Sequence, residues 1–290
     1  MGEFFALLTA LLWAVAVILF KRAVGLVRPF ALNLFKNCIA FVLLGVTAAG
    51  LGQTLTLPVA PQDLLVMFAS GAVGIGISDT LFFMTLARLG ASRTALVDCL
   101  YSPFVILFSS LMLKETLPPL AALGGVLILG SVVVSSQQSF GGDISRKQFW
   151  IGCLLGASAM ATVAFAIVLV KPLLNTHPLA LISTIRMAGG ISVLIPLLAL
   201  HPDRKSVYAS LRPQPAWKWV FWGTFFGSYL SLVCWLAGFK YSDAGIVALL
   251  NQTSTAFIVI LASLFLNEPM TRLKLLALAM AFVGTVIVIS

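Results

Sequence analysis

Four ionisable side chains lie deep inside long apolar segments of the sequence: Lys36, Asp79, Asp98 and Arg186. Ionisable groups within a membrane are costly and usually face a bundle interior or a water-filled cavity. Two carboxylates facing one lysine leave one acid without a counterion unless Arg93 turns inward, and such a desolvated acid can take up a proton near neutral pH. A guanidinium matches the geometry of a carboxylate ligand. The four residues therefore predict a polar site that binds a small charged molecule or a proton.

A purely structural role is the alternative for each of these residues. In that interpretation Lys36 neutralises Asp79 or Asp98 and fixes a contact between helices. Arg186 then extends to the membrane interface or bonds the carbonyl groups of a neighbouring helix, and Asp243 is its only plausible nearby acid. The two aspartates also leave open an intramembrane aspartyl enzyme. The sequence is compatible with all of these interpretations.

Aromatic and amide side chains from other segments lie at a similar depth. Aromatic rings near the middle of three different segments would form walls of a pocket. Asn251 occupies the position in the second half of the chain that Asp98 occupies in the first, so both positions are polar. The predicted site for a substrate or proton comprises Lys36, Asp79, Asp98, Arg186, Asn251, Trp13, Tyr101 and Tyr229. Nearby polar groups that would orient a ligand are Ser78, Ser102 and Gln252.

The composition places these residues in a membrane protein. Hydrophobic residues make up 60% of the chain and charged residues 9%, against about 25% charged residues in soluble domains. The net charge of +9 is explained by basic residues that flank membrane spans, so nucleic acid is not an expected partner. The four cysteines lack the spacing of a metal site, and neither a metal nor a cofactor is predicted.

Ten apolar segments are predicted to cross the membrane as helices of about 20 residues, which makes the fold class an all-α polytopic membrane protein. They cover residues 4–20, 30–49, 64–86, 91–113, 117–135, 149–170, 179–200, 217–239, 244–266 and 273–289. A polar linker at residues 137–148 divides them into two sets of five, at residues 1–136 and 149–290. Short connections within each set predict antiparallel neighbours.

The two sets of five helices repeat the same short motifs in the same order. A Leu-x-Glu motif follows the fourth span of each set and ends at Glu115 and Glu268, and a Pro-x-Ala-Leu motif opens the second span of each set at Pro29 and Pro178. Both glutamates are interpreted as turn residues that accept backbone N–H groups at a helix N-terminus. Because five spans form each repeat, the second repeat is inverted, as in secondary transporters with a substrate site near the midplane.

This arrangement resembles the drug/metabolite transporter superfamily, in particular its members with paired EamA-type domains. The resemblance rests on ten spans in two repeats, on Trp13 in the first span and on the two Leu-x-Glu turns, and it covers essentially the whole chain. It implies export of amino acids, other small metabolites or drugs, by proton exchange or by facilitated diffusion. It also implies a multi-pass protein of a prokaryotic inner membrane.

The distribution of basic residues predicts the orientation of the chain. The even-numbered connections between spans hold only Lys114, Lys171 and Lys240, whereas the odd-numbered ones hold the remaining loop cations. The positive-inside rule therefore places the odd-numbered connections in the cytoplasm and both termini outside. The resemblance implies the reverse orientation, although residues 50–62 lack the basic residues usual there in the family. The charge argument is preferred here, and a topology reporter fused after Ser290 tests it.

The sequence predicts a secondary transporter that exports a small metabolite such as an amino acid by alternating access, with proton coupling left open. The chain has no Gly-x-x-x-x-Gly-Lys loop for ATP, which argues against ATP-driven pumping. Efflux of drugs or organic cations by the same fold is the first alternative, and an intramembrane enzyme using Asp79 and Asp98 is a remote one. The expected partners are a small-molecule substrate, the lipid bilayer and protons, and the expected assembly is a monomer or a weak dimer.

Overall fold

The secondary structure of the computed structural model consists of helices. The structure describes residues 1–23, 27, 29–53, 59–89, 94, 97–136, 145–200, 204–210, 215–266 and 270–290. The α-helices are α1 (Gly2–Ala23), α2 (Pro29–Gly50), α3 (Pro61–Gly71), α4 (Ser78–Leu89), α5 (Tyr101–Leu113), α6 (Pro119–Ser136), α7 (Arg146–Val170), α8 (Leu179–Leu200), α9 (Arg204–Ser210), α10 (Trp217–Thr224), α11 (Ser231–Tyr241), α12 (Ala244–Asn251), α13 (Ser254–Leu266) and α14 (Arg272–Ile289). A 3₁₀ turn, Lys171–Leu174, follows α7.

Eight helical runs are long and apolar enough to cross a membrane. They match the predicted first to third and sixth to tenth spans. The helices at the predicted fourth and fifth spans, Tyr101–Leu113 and Pro119–Val134, are apolar but shorter. The structure thus supports an integral multi-pass membrane protein made of helices, and the count of ten spans stays a prediction for these two.

The fourth and ninth spans are not the continuous helices that the sequence predicted. A turn at Cys99 and Leu100 precedes α5, and a turn at Gln252 and Thr253 separates α12 from α13. Proline is well tolerated in the first turn of a helix because the N–H that it lacks would have no partner there. Pro103 therefore lies in the first turn of α5, directly after the break.

The departures from regular α-helix occur in pairs that the repeat relates to each other. The π-helical segments Ala72–Ile77 and Phe225–Leu230 join α3 to α4 and α10 to α11. They occupy equivalent positions when Asp98 is aligned with Asn251, and these two residues in turn stand at the two helix breaks. Single π turns inside α-helices often lie at functional sites. The paired irregularities therefore direct attention to the region where they meet.

The main pairs of packed helices correspond to each other when the two repeats are exchanged. α1 packs on α11, α12 and α13 of the second half, and α7 packs on α4, α5 and the first π segment of the first half. α2 packs on α8, and α6 packs on α14. At the last of these contacts a Cβ atom added to Gly124 would lie 2.7 Å from the carbonyl oxygen of Gly284, so small residues permit the approach. The two halves interlock around a common centre.

Candidate functional site

A cavity of about 380 Å³ lies at the centre between the two halves, within the size range of small-molecule sites. Seven of the eight predicted site residues line it: Trp13, Lys36, Asp79, Asp98, Tyr101, Arg186 and Asn251. Ser78 and Gln252 line it as well. Within the described ranges no group of three or more His, Cys, Asp or Glu side chains could hold a metal ion.

Tyr229 is the predicted site residue that does not line the cavity. Its hydroxyl oxygen lies 2.7 Å from Oγ1 of Thr47 on α2, and Gly227 and Ser228 face the cavity instead. The reason is the second π segment, whose wider turn changes which residues point to the centre. Ser102, predicted as a nearby polar group, donates a hydrogen bond to the carbonyl of Ala248 at 2.9 Å and does not line the cavity either.

An ion pair occupies the first-half side of the cavity. Nζ of Lys36 lies 3.4 Å from Oδ2 of Asp79, and the two side chains are 13% and 29% exposed. Lys36 thus neutralises one of the two aspartates, as the structural interpretation predicted. Asp98 lines the same cavity, but no cation among the described residues pairs with it. Arg93, the other predicted partner, lies outside the described residues.

Arg186 is held inside the protein, with 1% of its surface exposed. Its Nη1 donates to the hydroxyl of Ser70 and to the carbonyl oxygen of Ala166 at 3.4 Å. The guanidinium carbon lies 5.8 Å from the ring centroid of Trp235. The predicted bond to a carbonyl of a neighbouring helix is therefore present, whereas an Arg186 that reaches the membrane interface is excluded.

The structure does not pair Arg186 with the acid predicted to be its nearest. Asp243 lies at the N-terminus of α12 and, together with Glu115, lines a separate small cavity. In the described part of the chain no carboxylate lies within ion-pair distance of the guanidinium. Arg186 therefore brings an unpaired cation to the cavity, just as Asp98 brings an unpaired acid.

Ser70 fixes the direction of Arg186. The Ser70 side chain is fully buried, and its hydroxyl donates to the carbonyl of Ala166 at 2.6 Å while it accepts from Arg186. A hydroxyl has one proton to donate and lone pairs to accept with, so both bonds form together. Sequence reasoning missed Ser70, because a serine in an apolar helix gives no signal that separates a hydrogen-bonding partner from a packing residue.

Every buried side-chain nitrogen or oxygen that lacks a hydrogen-bond partner in the described part of the chain belongs to a residue of the cavity wall. These atoms are Oδ1 of Asn37, the hydroxyl oxygen of Tyr101, Nε of Arg186 and both amide atoms of Asn251. Such atoms are rare in native proteins and cost about 1–3 kcal/mol each. Their concentration at one cavity favours a ligand that supplies the missing partners.

Three further wall residues, Asn37, Phe82 and Trp235, were missed, and the repeat relates each of them to another wall residue. Alignment of the second and seventh spans on their Pro-x-Ala-Leu motifs makes Asn37, rather than Lys36, the counterpart of Arg186. The alignment of Asp98 with Asn251 makes Trp235 the counterpart of Phe82, and all four aligned wall positions line the cavity. Mapping the candidate Arg186 onto the other repeat would have found Asn37, whereas no candidate maps onto Phe82 or Trp235.

Helix contacts close the cavity toward one face of the protein. We call the face that carries Met1, Glu115 and Ser290 the terminal face, and the opposite one, at Ala23 and Leu89, the distal face. Toward the terminal face, α3 packs on α8, α5 on α7, and α12 on α1 and α5. Toward the distal face, α4 packs on α7 and α13 on α1. The exposed fraction of the charged side chains agrees with closure toward the terminal face. It is higher at the Lys36–Asp79 pair, which lies toward the distal face, than at Arg186, which lies toward the terminal face.

The fold and the cavity define a multi-pass helical membrane protein that encloses a polar cavity between two repeats. The model of the EamA-like transporter family matches residues 1–137 and again residues 150–290. The chain therefore belongs to the EamA-like transporter family, and with it to the membrane transporters of the drug/metabolite type.

Comparison with solved structures shows the same fold. A total of 29 chains match, and one crystal structure superposes with a TM-score of 0.83 over 99% of this chain and 95% of that chain, at 18% sequence identity. A likeness at this identity shows the fold alone. No curated protein matches the chain in sequence.

Proposed function

We propose that the protein is a secondary transporter that exports a small metabolite such as an amino acid by alternating access. The observation that carries the proposal concerns the described residues: polar atoms without a hydrogen-bond partner concentrate in a single cavity, together with one cation and one acid that have no counterion among these residues. Arg186 and the Tyr101 hydroxyl suit a carboxylate, whereas Asp98 and the amide oxygen of Asn251 suit an ammonium group. An amino acid carries both of these groups on one carbon atom.

Alternating access in this proposal follows from two inverted repeats of five crossings each, with α5 and α6 counted as crossings. The exchange symmetry of the helix packing and the paired irregularities support such a pseudo-twofold relation. We propose a transporter rather than an aspartyl enzyme, and the ion pair of Asp79 with Lys36 supports this choice.

The proposed location is a prokaryotic inner membrane, with both termini outside and the distal face in the cytoplasm. Exposed cations at the distal face, such as Arg22, Arg146, Lys147 and Arg204, support this orientation through the positive-inside rule. The more exposed charged groups of the cavity, Lys36 and Asp79, then lie toward the cytoplasm, the side from which an exporter takes its substrate. A monomer or weak dimer is the proposed assembly.

The proposal is tested with purified protein reconstituted in liposomes. Amino acids, purines and cationic dyes are screened as substrates with and without a pH gradient, against protein-free liposomes. Transport of an amino acid above that background is expected. Transport of dyes alone would favour efflux of organic cations, to which Asp98 and the rings of Trp13 and Trp235 are also suited. No flux of any class through folded protein would contradict a transporter of either kind.

Asp98→Asn is expected to abolish stimulation of transport by the pH gradient. Exchange of substrate should continue with lower affinity, because an amide is a weaker partner for an ammonium group than a carboxylate. The amide keeps the size of the side chain but cannot bind or release a proton. Flux with and without the gradient is compared for the variant, the wild type and Asp143→Asn, which removes a carboxylate from the linker between the two repeats. Stimulation that persists in Asp98→Asn would assign proton coupling to another group.

Ser70→Ala is expected to raise the substrate concentration for half-maximal transport about tenfold, because loss of a buried hydrogen-bond partner costs about 1–3 kcal/mol. The maximal rate should change less, since Ser70 orients Arg186 and takes no part in the movement of the helices. Ser70→Thr keeps the hydroxyl and should restore the wild-type value. A wild-type value in Ser70→Ala would show that Arg186 needs no support from this residue.

A further inference from the structure

Glu115 joins the two repeats at the terminal face. Its Oε1 pairs with Nζ of Lys171, and its Oε2 accepts a hydrogen bond from the backbone N–H of Ala244 at 2.7 Å. The side chains of Glu115 and Lys171 are only 18% and 11% exposed. The glutamate was predicted to cap the helix that follows it, but it caps α12 of the other repeat instead.

The other two carboxylates of the first half at this face also bind the second half. Oε1 of Glu3 accepts a hydrogen bond from the hydroxyl of Ser242 at 2.6 Å. Oδ2 of Asp63 lies 2.8 Å from Nε2 of His177. Lys171 extends the network, because its ammonium also donates to the carbonyl of Ser242 at 2.9 Å. The polar contacts at the terminal face therefore cross from one repeat to the other.

These contacts hold together the elements whose inner ends form the cavity. Glu115 follows α5, which begins at Tyr101, and it caps α12, which ends at Asn251. Both of those residues line the cavity. The cavity cannot open to the terminal face while the start of α12 and the end of α7 stay bound to the turn after α5. Once separated, the carboxylate and the ammonium group would be hydrated, which makes the contact reversible.

We propose that Glu115 is a latch that holds the terminal face closed and releases Lys171 and the Ala244 amide each time the cavity opens on that face. The inference rests on the proposed function, because it assigns the latch to one half of an alternating-access cycle. The contact stabilises the state that is closed at the terminal face. Without it, the equilibrium shifts toward the open state, and the free energy of the contact sets the size of the shift.

The latch is tested by the accessibility of a cysteine placed in the cavity. Thr9 lines the cavity on α1 and is buried, so Thr9→Cys reports on access in a background from which Cys38, Cys99, Cys153 and Cys234 have been removed. A membrane-impermeant maleimide is added from the terminal face to vesicles of known sidedness. Glu115→Gln and Lys171→Met are each expected to label about tenfold faster than the parent, as loss of a charge-assisted contact implies.

Lys114→Gln is the matched control, since it removes a charge from the same turn. Lys114 is exposed and forms no ion pair with the described residues, so its variant should label like the parent. Labelling from the distal face reports on correct folding and should persist in every variant. If both Glu115→Gln and Lys171→Met are labelled from the terminal face at the same rate as the parent, the latch proposal is wrong.

The labelling needs no substrate, so the two proposals fail separately. Faster labelling in the latch variants without flux of any compound in the liposome screen would contradict the proposed transport and leave the latch in place. Active export combined with labelling that does not depend on Glu115 or Lys171 would contradict the latch alone.

Discussion

Gly71→Ala is expected to destabilise the folded protein by about 3 kcal/mol or more, and with it to abolish binding at the cavity. A Cβ atom at Gly71 would lie 1.9 Å from the carbonyl oxygen of Arg186 and 2.6 Å from its Cα. Both are backbone atoms, so no side-chain rotation relieves the overlap, and α8 must move away from α3. The melting temperature of the purified protein in detergent measures the effect.

Gly45→Ala provides the control for this substitution. Its new Cβ atom would lie 3.9 Å from Cγ2 of Thr184, an ordinary van der Waals contact, so the melting temperature should stay that of the wild type. Equal melting temperatures for Gly71→Ala and Gly45→Ala would show that α3 and α8 are not held in close contact. The same crossing places Ser70 beside Arg186, which is why one methyl group is expected to affect both the stability and the site.

Arg186→Gln is expected to reduce transport of a carboxylate-bearing substrate about 100-fold or more, because loss of a buried charged partner typically costs 2–5 kcal/mol in binding. The stability of the protein should be unchanged or higher, since the substitution removes a buried cation without a counterion. Flux in liposomes and the melting temperature are measured on the same preparation. Arg186→Lys should give an intermediate flux, because it keeps the charge but lacks the planar fork of donors.

Arg204→Gln is the matched control for loss of an arginine. Arg204 is exposed and donates to the carbonyl of Ala199, far from the cavity wall, so both flux and melting temperature should match those of the wild type. Flux of wild-type magnitude in Arg186→Gln would contradict the assignment of Arg186 to the substrate carboxylate. A large loss of stability would instead give the guanidinium a structural role.

The depth of residues along the spans could be predicted, and it was enough to bring most of the site together. A helix rises by about 1.5 Å per residue, so the distance of a residue from the end of its helix gives its level in the membrane. Lys36 and Asp79 meet on this basis. Tyr229 lies at a suitable level as well, but the π segment turns it toward Thr47, and no feature of the sequence indicates that turn.

The partners of individual polar groups could not be predicted. The sequence indicated that Glu115 accepts backbone N–H groups at a helix N-terminus, but the helix that it caps belongs to the other repeat. Likewise, Arg186 was recognised as a deep cation, whereas its bond to Ser70 depends on the crossing of α3 with α8. Such pairings depend on how each helix is rotated about its axis, and near-uniformly apolar helices carry little pattern to indicate that rotation.

Composition and order along the chain sufficed for the class of protein, because the cost of exposing apolar residues to water and charged residues to lipid depends on residue type alone. They sufficed for the repeat as well, because matching motifs keep their order. The packing of the two halves decided the rest. It determined which described charges lack a counterion, which face is closed, and which groups Glu115 contacts. Those features join residues distant in the chain, and the steric fit between helix surfaces that brings them together is a property of the assembled fold.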